Sequence, residues 1–116
     1  MNTLQYSLRS NSALIGSEAE RQFIWIENNL MSAGNRKFLI TSHIYAGGRV
    51  KHDDKVEAME LWMSKWNNRY FDLVEKYQSN IIMEIGAHDH WADVRVFDRA
   101  NKGPIRSLYV ATGVSP

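Results

Sequence analysis

Two histidines near the end of the sequence, His88 and His90, are the first candidates for chemistry. They follow an apolar run at residues 81–85, which is typical of a buried β-strand. In extended backbone, residues two apart point to the same side, so both imidazoles are expected to face one polar site. A third histidine, His43, also follows an apolar run, at residues 38–42. Ligands of open α/β sheets bind at the carboxyl ends of strands, so the histidines are candidate metal ligands at one sheet edge. The alternative is that each is a hydrogen-bonded structural residue.

The composition limits what these residues can do. The chain has 116 residues and no cysteine, so any metal must be held by imidazole, carboxylate or backbone oxygen. The formal net charge of +1 gives no strong field toward nucleic acid or an anionic membrane. No apolar run approaches the ~20 residues that span a bilayer, and residues 1–7 lack the apolar core of a signal peptide. We therefore expect no binding to a nucleic-acid scaffold and no transmembrane segment.

Two helices and several strands are predicted to position the histidines. Ser17 and Glu20 form a capping box, which predicts a helix from Ser17 to about residue 32, with Gly34 as its stop. A second helix is predicted at residues 56–77, with its large apolar side chains in the core. Strands are predicted at residues 3–7, 37–44, 81–85, 94–97 and 107–111, and loops or turns at residues 9–16, 45–55 and 101–104. The order β-α-β-α-β-β-β indicates an α/β fold whose sheet is mixed toward its C-terminal end.

The two main strands, at residues 37–44 and 81–85, are almost continuously apolar, which calls for cover on both faces of the sheet. Two helices cover one face well and two faces poorly. The sequence ends at residues 114–116 with no closing element. We therefore expect residues 1–116 to be a single partial domain that exposes a large apolar sheet face, and such faces drive association.

Five short motifs, in order along nearly the whole chain, resemble the acid sphingomyelinase-like branch of the calcineurin-like metallophosphoesterases. Residues 2–7 resemble Asn-Thr-Leu-Tyr-Tyr-Ser, residues 22–27 resemble a Gln-Phe-x-Trp-Leu-Glu helix, and residues 39–47 resemble a Gly-His-Ile-Pro-Pro-Gly strand end. Residues 87–90 resemble Gly-His-Thr-His, and residues 111–116 resemble Ala-Pro-Ser-Val-Thr-Pro. The resemblance implies the C-terminal part of a metallophosphoesterase-type α/β sandwich, with a mixed sheet and two main helices.

The resemblance also implies a chemistry. In that family two metal ions, usually zinc, activate a water molecule that attacks phosphorus, as in other two-metal hydrolases. This implies a metal-dependent phosphodiesterase whose phosphodiester substrate is a lipid headgroup or a nucleotide. By motif position, His43 and His88 would bind one zinc ion and His90 the other. His52 matches no motif and is expected to be a solvated residue.

The sequence departs from the family pattern around the histidines. Ser42 and Ala87 stand where the family has glycine, and Tyr45 and Ala46 replace its two prolines, so the loop after His43 is expected to be less rigid. The family's earlier motifs, Asp-x-His, Gly-Asp and Gly-Asn-His, supply the carboxylate ligands and a leaving-group histidine, and they do not occur here. We therefore expect the chain alone to be inactive. A missing N-terminal half or a partner chain would supply the carboxylates.

Other functions stay open. A degenerate relative could keep the scaffold as a non-catalytic binding or structural subunit. Three neutral imidazoles and water are also a known open zinc arrangement, although the family geometry divides them between two ions. Tyr45 and Trp91 flank the histidines and are expected either to contact a substrate or to pack at the rim. Asp93 and Arg95 are expected to pair, with little gain in stability if exposed. The compartment is secreted or lysosomal if a signal precedes the chain, and cytoplasmic otherwise.

Overall fold

The sheet and the helices are seen in a computed structural model, which describes residues 1–10, 12–49, 59–90, 92–99 and 103–112. A 3-10 helix at Thr3–Tyr6 precedes helix α1 at Ser12–Met31, and the second helix, α2, occupies Ser64–Lys76. The strands are β1 (Phe38–Thr41), β2 (Gly48–Arg49), β3 (Met59–Glu60), β4 (Ile81–Gly86), β5 (Asp93–Arg99) and β6 (Gly103–Val110). Neither described helix is long and apolar enough to cross a membrane.

Four strands form one mixed sheet in the order β1-β4-β6-β5. β4 lies parallel to both β1 and β6, whereas β5 lies antiparallel to β6. Parallel neighbours need a crossover, and α2 lies in the connection from β1 to β4. β2 and β3 form a separate antiparallel pair. The predicted α/β fold, with a mixed sheet and two helices, is confirmed.

A bulge in β4 decides which of its side chains face the helices. Phe38 of β1 pairs with Ile81, but the next residue, Leu39, pairs with Met83, so Ile82 is the extra residue. Ile82 and Met83 are both exposed, whereas Ile81 and Glu84 on either side of them are buried. Two consecutive side chains therefore point away from the core, and the alternation resumes beyond them.

Both helices and the N-terminal segment contribute to one core against one face of the sheet. Its centre is aromatic: the Tyr6 ring lies 5.0 Å from Phe23 and 4.6 Å from Trp62. Phe23 of α1 stacks on Trp66 of α2 at 5.3 Å with an interplanar angle of 8°. Such pairs add about 0.5–1.5 kcal/mol to the free energy gained by burial. The aromatic side chains of the second predicted helix are therefore packing residues, as expected.

The opposite face of the sheet, which we name the open sheet face, is exposed and apolar. Leu39 pairs with Met83, and Tyr109 pairs with Val94, so these side chains form rows across neighbouring strands. Between 40% and 64% of each of six large residues is exposed here: Leu39, Ile82, Met83, Val94, Val96 and Tyr109. The predicted uncovered apolar face is confirmed for the described residues.

Several element boundaries differ from the sequence prediction near the N-terminus. Residues 3–6 form a 3-10 helix instead of a strand, and only Ser7 makes an isolated bridge, with Trp62. α1 begins at Ser12, so Ser17 lies inside the helix and does not cap it. The predicted loop contained Ala13 and Leu14, which are strong helix formers, and a capping pattern is also compatible with a helix interior. Gly34, with φ of 55°, follows the helix end as predicted.

The second helix is shorter than predicted. Residues 59–60 form β3, which pairs with β2, and the Trp62 indole N–H donates to the Ile44 carbonyl at 3.0 Å. These residues therefore contact the segment that follows β1 and are not part of the helix. α2 starts only at Ser64. Residues 48–49 are β2 instead of loop, and residues 103–104 belong to β6 instead of a turn. The predictions for residues 51–58 and 101–102 lie outside the described residues.

Candidate functional site

The ladder between β1 and β4 continues beyond the strands and brings their following loops side by side. The Ser42 N–H donates to the Ile85 carbonyl at 2.9 Å, and the Ala87 N–H donates to the His43 carbonyl at 3.0 Å. Parallel neighbours end at the same edge of a sheet, so His43 and His88 leave their strands at neighbouring points. The strands thus position both histidines through backbone bonds.

His43 and His88 form a close pair of imidazoles. Nδ1 of His88 lies 3.4 Å from Nε2 of His43, and the rings are nearly perpendicular, with centroids 5.3 Å apart. His43 is exposed and His88 is partly buried. Two strand ends therefore deliver imidazole to one sheet edge, with one nitrogen of each ring within hydrogen-bonding distance of the other.

His90 lies differently from what the spacing predicted. His88 and His90 have φ of 84° and 64°, so the turn is left-handed at both and the same-side argument for extended backbone does not apply. His90 is exposed, while Asp89 between the two is buried. Among the described residues, no group of three or more His, Asp or Glu side chains is arranged to hold a metal ion. The structure thus brings together two of the three predicted ligands.

Asp89 anchors this turn to the loop after β1. The Tyr45 hydroxyl donates to Oδ2 of Asp89, and both residues are buried, with 1% and 5% exposed. Tyr45 also packs on the last residue of β4: a Cβ added to Gly86 would lie 2.9 Å from the Tyr45 Cβ. Glycine is therefore required at residue 86 for the two loops to approach this closely.

A charged pair lies over the same tyrosine. The Arg95 guanidinium sits 5.7 Å from the centre of the Tyr45 ring, and Nε of Arg95 is 2.6 Å from Oδ2 of Asp93. The predicted pair is formed, and it is partly buried, with 16% of the Arg95 side chain and 35% of the Asp93 side chain exposed. Burial, followed by the hydrogen bond to Asp89, raises the pKa of Tyr45, so its hydroxyl remains a donor across the physiological range.

The loop after His43 is fixed by side chains, although the loss of two prolines predicted a less rigid loop. Ile44, Tyr45 and Ala46 are all buried. The Ile44 N–H donates to Oγ1 of Thr3 at 2.9 Å, and the Gly47 N–H donates to a side-chain oxygen at 3.0 Å. Because Tyr45 is almost fully buried, it packs at the rim and does not present itself to a substrate. Trp91 lies outside the described residues.

Sequence reasoning missed the bond between Tyr45 and Asp89. A signal was present, because both residues depart from the family motifs, where the resemblance gives proline and threonine. Two departures in loops that were predicted to meet could have indicated a contact between them. The spacing of the histidines alone does not reveal which residue buries the turn.

Sequence comparisons identify distant relatives over the whole chain. No protein-family model matches. The rat protein named cyclic GMP-AMP phosphodiesterase SMPDL3A is 28% identical over 118 residues, which cover all of this chain and 26% of the relative. The human protein of the same name is 25% identical, with 25% of its length covered. A Dictyostelium discoideum protein named sphingomyelinase phosphodiesterase D is 27% identical, with 27% of its length covered.

The chain thus spans about a quarter of the length of the curated relatives that it matches. All of these relatives are named phosphodiesterases, and they come from animals and an amoeba. At 25–28% identity, the chain is a distant relative of the acid sphingomyelinase-like phosphodiesterases.

Proposed function

We propose that this chain is the C-terminal portion of a metal-dependent phosphodiesterase and holds part of a two-zinc site. The observation that supports it is the 3.4 Å separation between Nδ1 of His88 and Nε2 of His43. Two nitrogens bound to one tetrahedral zinc ion at about 2.0–2.1 Å are about 3.3 Å apart. Neutral imidazole also suits zinc. An N–H···N hydrogen bond is the competing explanation of the distance, and metal titration separates the two.

In this proposal His43 and His88 bind one ion, and His90 binds the other from its exposed position after the turn. When bound, the metal pair would supply stabilisation of charge on the phosphoryl oxygens and the leaving group. Two imidazoles fill half of a tetrahedral site and bring no negative charge. The remaining ligands are carboxylates, which a missing N-terminal half or a partner chain supplies. The substrate is a phosphodiester, a nucleotide or a lipid headgroup, as the names of the relatives suggest.

The test is titration of the purified, metal-free chain with Co²⁺, a spectroscopic substitute for zinc. We expect the chain to bind one equivalent through the histidine pair, and His43→Ala or His88→Ala to weaken binding at least about tenfold. His52→Ala is the matched control, because His52 matches none of the family motifs. This variant is expected to leave Co²⁺ binding unchanged. Absence of binding, or equal affinity in all variants, contradicts the proposal.

Activity gives a second test of the incomplete site. The chain alone is expected not to hydrolyse a simple phosphodiester such as bis(4-nitrophenyl) phosphate, with or without added zinc, because it lacks the carboxylate ligands. Turnover by the purified chain that His88→Ala abolished would show that the site is complete without them.

A second candidate is a non-catalytic binding or structural subunit, which the open sheet face also fits because a partner would cover it. β4 has parallel neighbours on both sides, and sheets of this kind are normally covered on both faces. The upstream coding sequence separates the two candidates. If it continues above Met1 and encodes Asp-x-His, Gly-Asp and Gly-Asn-His, the phosphodiesterase proposal holds. If translation begins at Met1, the subunit is favoured. Binding of about one or two zinc ions per chain, with ligands supplied by a partner chain, would argue against the non-catalytic subunit.

A further inference from the structure

We propose that the hydrogen bond between Tyr45 and Asp89 positions His88 beside His43, which makes Tyr45 and Asp89 positioning residues of the histidine pair. The inference rests on the proposed metal role of these histidines for its functional meaning. Its structural part, the coupling of the two loops, stands on the geometry of the metal-free chain.

The first support is the backbone of the turn. His88 and His90 both have positive φ, a conformation that L-residues rarely adopt and that persists when the surroundings over-determine it. The residue between them is the buried Asp89, whose carboxylate accepts the Tyr45 hydroxyl. The bond thus keeps Asp89 buried at the centre of the turn, while the histidines on either side are more exposed. Without it, the turn loses one of the contacts that hold it in these backbone angles.

The second support is where the bond acts in each loop. Tyr45 is two residues after His43, and Asp89 is next to His88. A second link, from the Ala87 N–H to the His43 carbonyl at 3.0 Å, joins the same two loops through the backbone. Two links between two short segments fix their relative orientation as well as their distance. Rigid placement of ligating groups by surrounding hydrogen bonds is how proteins tune metal sites.

The third support is the stiffness of Tyr45 itself. Its side chain is 1% exposed and is held between Gly86, which has no room for a Cβ, and the Arg95 guanidinium. The donor to Asp89 is therefore fixed in place by packing. The family motifs have proline and threonine at these two positions, and proline has no hydroxyl to donate. The hydrogen bond between Tyr45 and Asp89 is therefore not implied by the resemblance.

Tyr45→Phe tests the inference, because it removes only the hydroxyl, and Tyr70→Phe is the matched control. Tyr70 also donates its hydroxyl to a buried carboxylate, Oε2 of Glu84 at 2.7 Å, with 3% and 2% of the two residues exposed. Glu84 lies within β4, not in the histidine turn. Both variants lose the same kind of bond, so a general loss of stability affects both equally.

The first readout is hydrogen exchange of the Ala87 amide in the metal-free chain, which reports local opening of the loop pair. We expect Tyr45→Phe to lower its protection about tenfold more than Tyr70→Phe does, given the usual strength of a bond to a carboxylate. Asp89→Asn keeps an acceptor oxygen and is expected to retain most of the protection, whereas Asp89→Ala loses it. Equal protection of Ala87 in the Tyr45→Phe and Tyr70→Phe variants overturns the inference.

The second readout is Co²⁺ affinity, expected to fall about tenfold in Tyr45→Phe and to stay unchanged in Tyr70→Phe. The outcomes separate the two proposals. If the unaltered chain binds no Co²⁺, the metal proposal fails, while Ala87 exchange still decides the positioning. If Co²⁺ binding depends on His88 but neither readout responds to Tyr45→Phe, the positioning inference fails alone.

Discussion

His90 should reverse the usual stability order of alanine and glycine. Its φ of 64° lies in the left-handed region, and its side chain is exposed. Truncation to alanine removes few contacts, so His90→Ala should change the free energy of unfolding by no more than about 0.5 kcal/mol. His90→Gly also removes the Cβ, which is the atom that makes the left-handed conformation unfavourable.

The expected size follows from two opposing terms. A Cβ in left-handed backbone costs about 1–2 kcal/mol. Glycine loses more backbone freedom than alanine on folding, which costs about 0.5–1 kcal/mol. At the centres of these two ranges, the difference favours His90→Gly over His90→Ala by about 0.75 kcal/mol, which corresponds to a few degrees in the melting temperature of a chain of this size.

Urea unfolding of the two variants under identical conditions measures the difference, since equal m-values allow the midpoints to be compared directly. Gly16 is the control of opposite sign. It lies in α1, and a Cβ at this position would have no neighbouring atom within 4 Å, so Gly16→Ala should stabilise the chain by about 0.5–1 kcal/mol. If His90→Gly is less stable than His90→Ala, the turn is not left-handed at residue 90, and the account of a strained histidine turn is wrong.

Two further predictions concern Tyr45 and the residue under it. Gly86→Ala should destabilise the chain by about 1–3 kcal/mol in urea unfolding, since its Cβ would meet the Tyr45 Cβ at 2.9 Å; a neutral effect would mean that Tyr45 can move away. The pKa of Tyr45 is raised by burial and by the bond to Asp89, so the folded chain keeps a proton that the unfolded chain loses above about pH 10. The free energy of unfolding should therefore fall as the pH rises above about 10. Tyr45→Phe should flatten that decline in urea unfolding measured between about pH 8 and 11, and an unchanged slope would contradict the role of Tyr45.

The fold was predictable from sequence where the pattern of apolar residues is typical of a β-strand. The apolar run before His88 is β4, and the alternation at residues 94–97 lies within β5. The bulge at Ile82 was not predictable, because a run of apolar residues looks the same with or without an extra residue. The start of α2 was missed for a tertiary reason: the Trp62 indole bonds to Ile44, a residue distant in sequence.

The candidate site was predictable in its ligands and not in its geometry. Strand ends that carry histidine predicted that His43 and His88 would meet, and they lie 3.4 Å apart. His90 was assigned to the same side by a rule for extended backbone, but the turn leaves the strand conformation after Gly86. The spacing of the histidines also does not reveal the contact at the centre of that turn, which is the bond between the buried residues Tyr45 and Asp89.

β4 links the histidine pair to the open sheet face. Its bulge exposes Ile82 and Met83 on that face, and the loop after its last residue carries His88. The five residue steps from Met83 to His88 span about 17 Å at most when extended. A polypeptide that covers the apolar rows around Met83 therefore lies within reach of the histidine pair and needs no separate anchor to bring carboxylates there. Under the proposed function, one neighbouring segment can therefore both cover the sheet and supply ligands to the metal, because β4 contributes to the open sheet face and leads into the loop that carries His88.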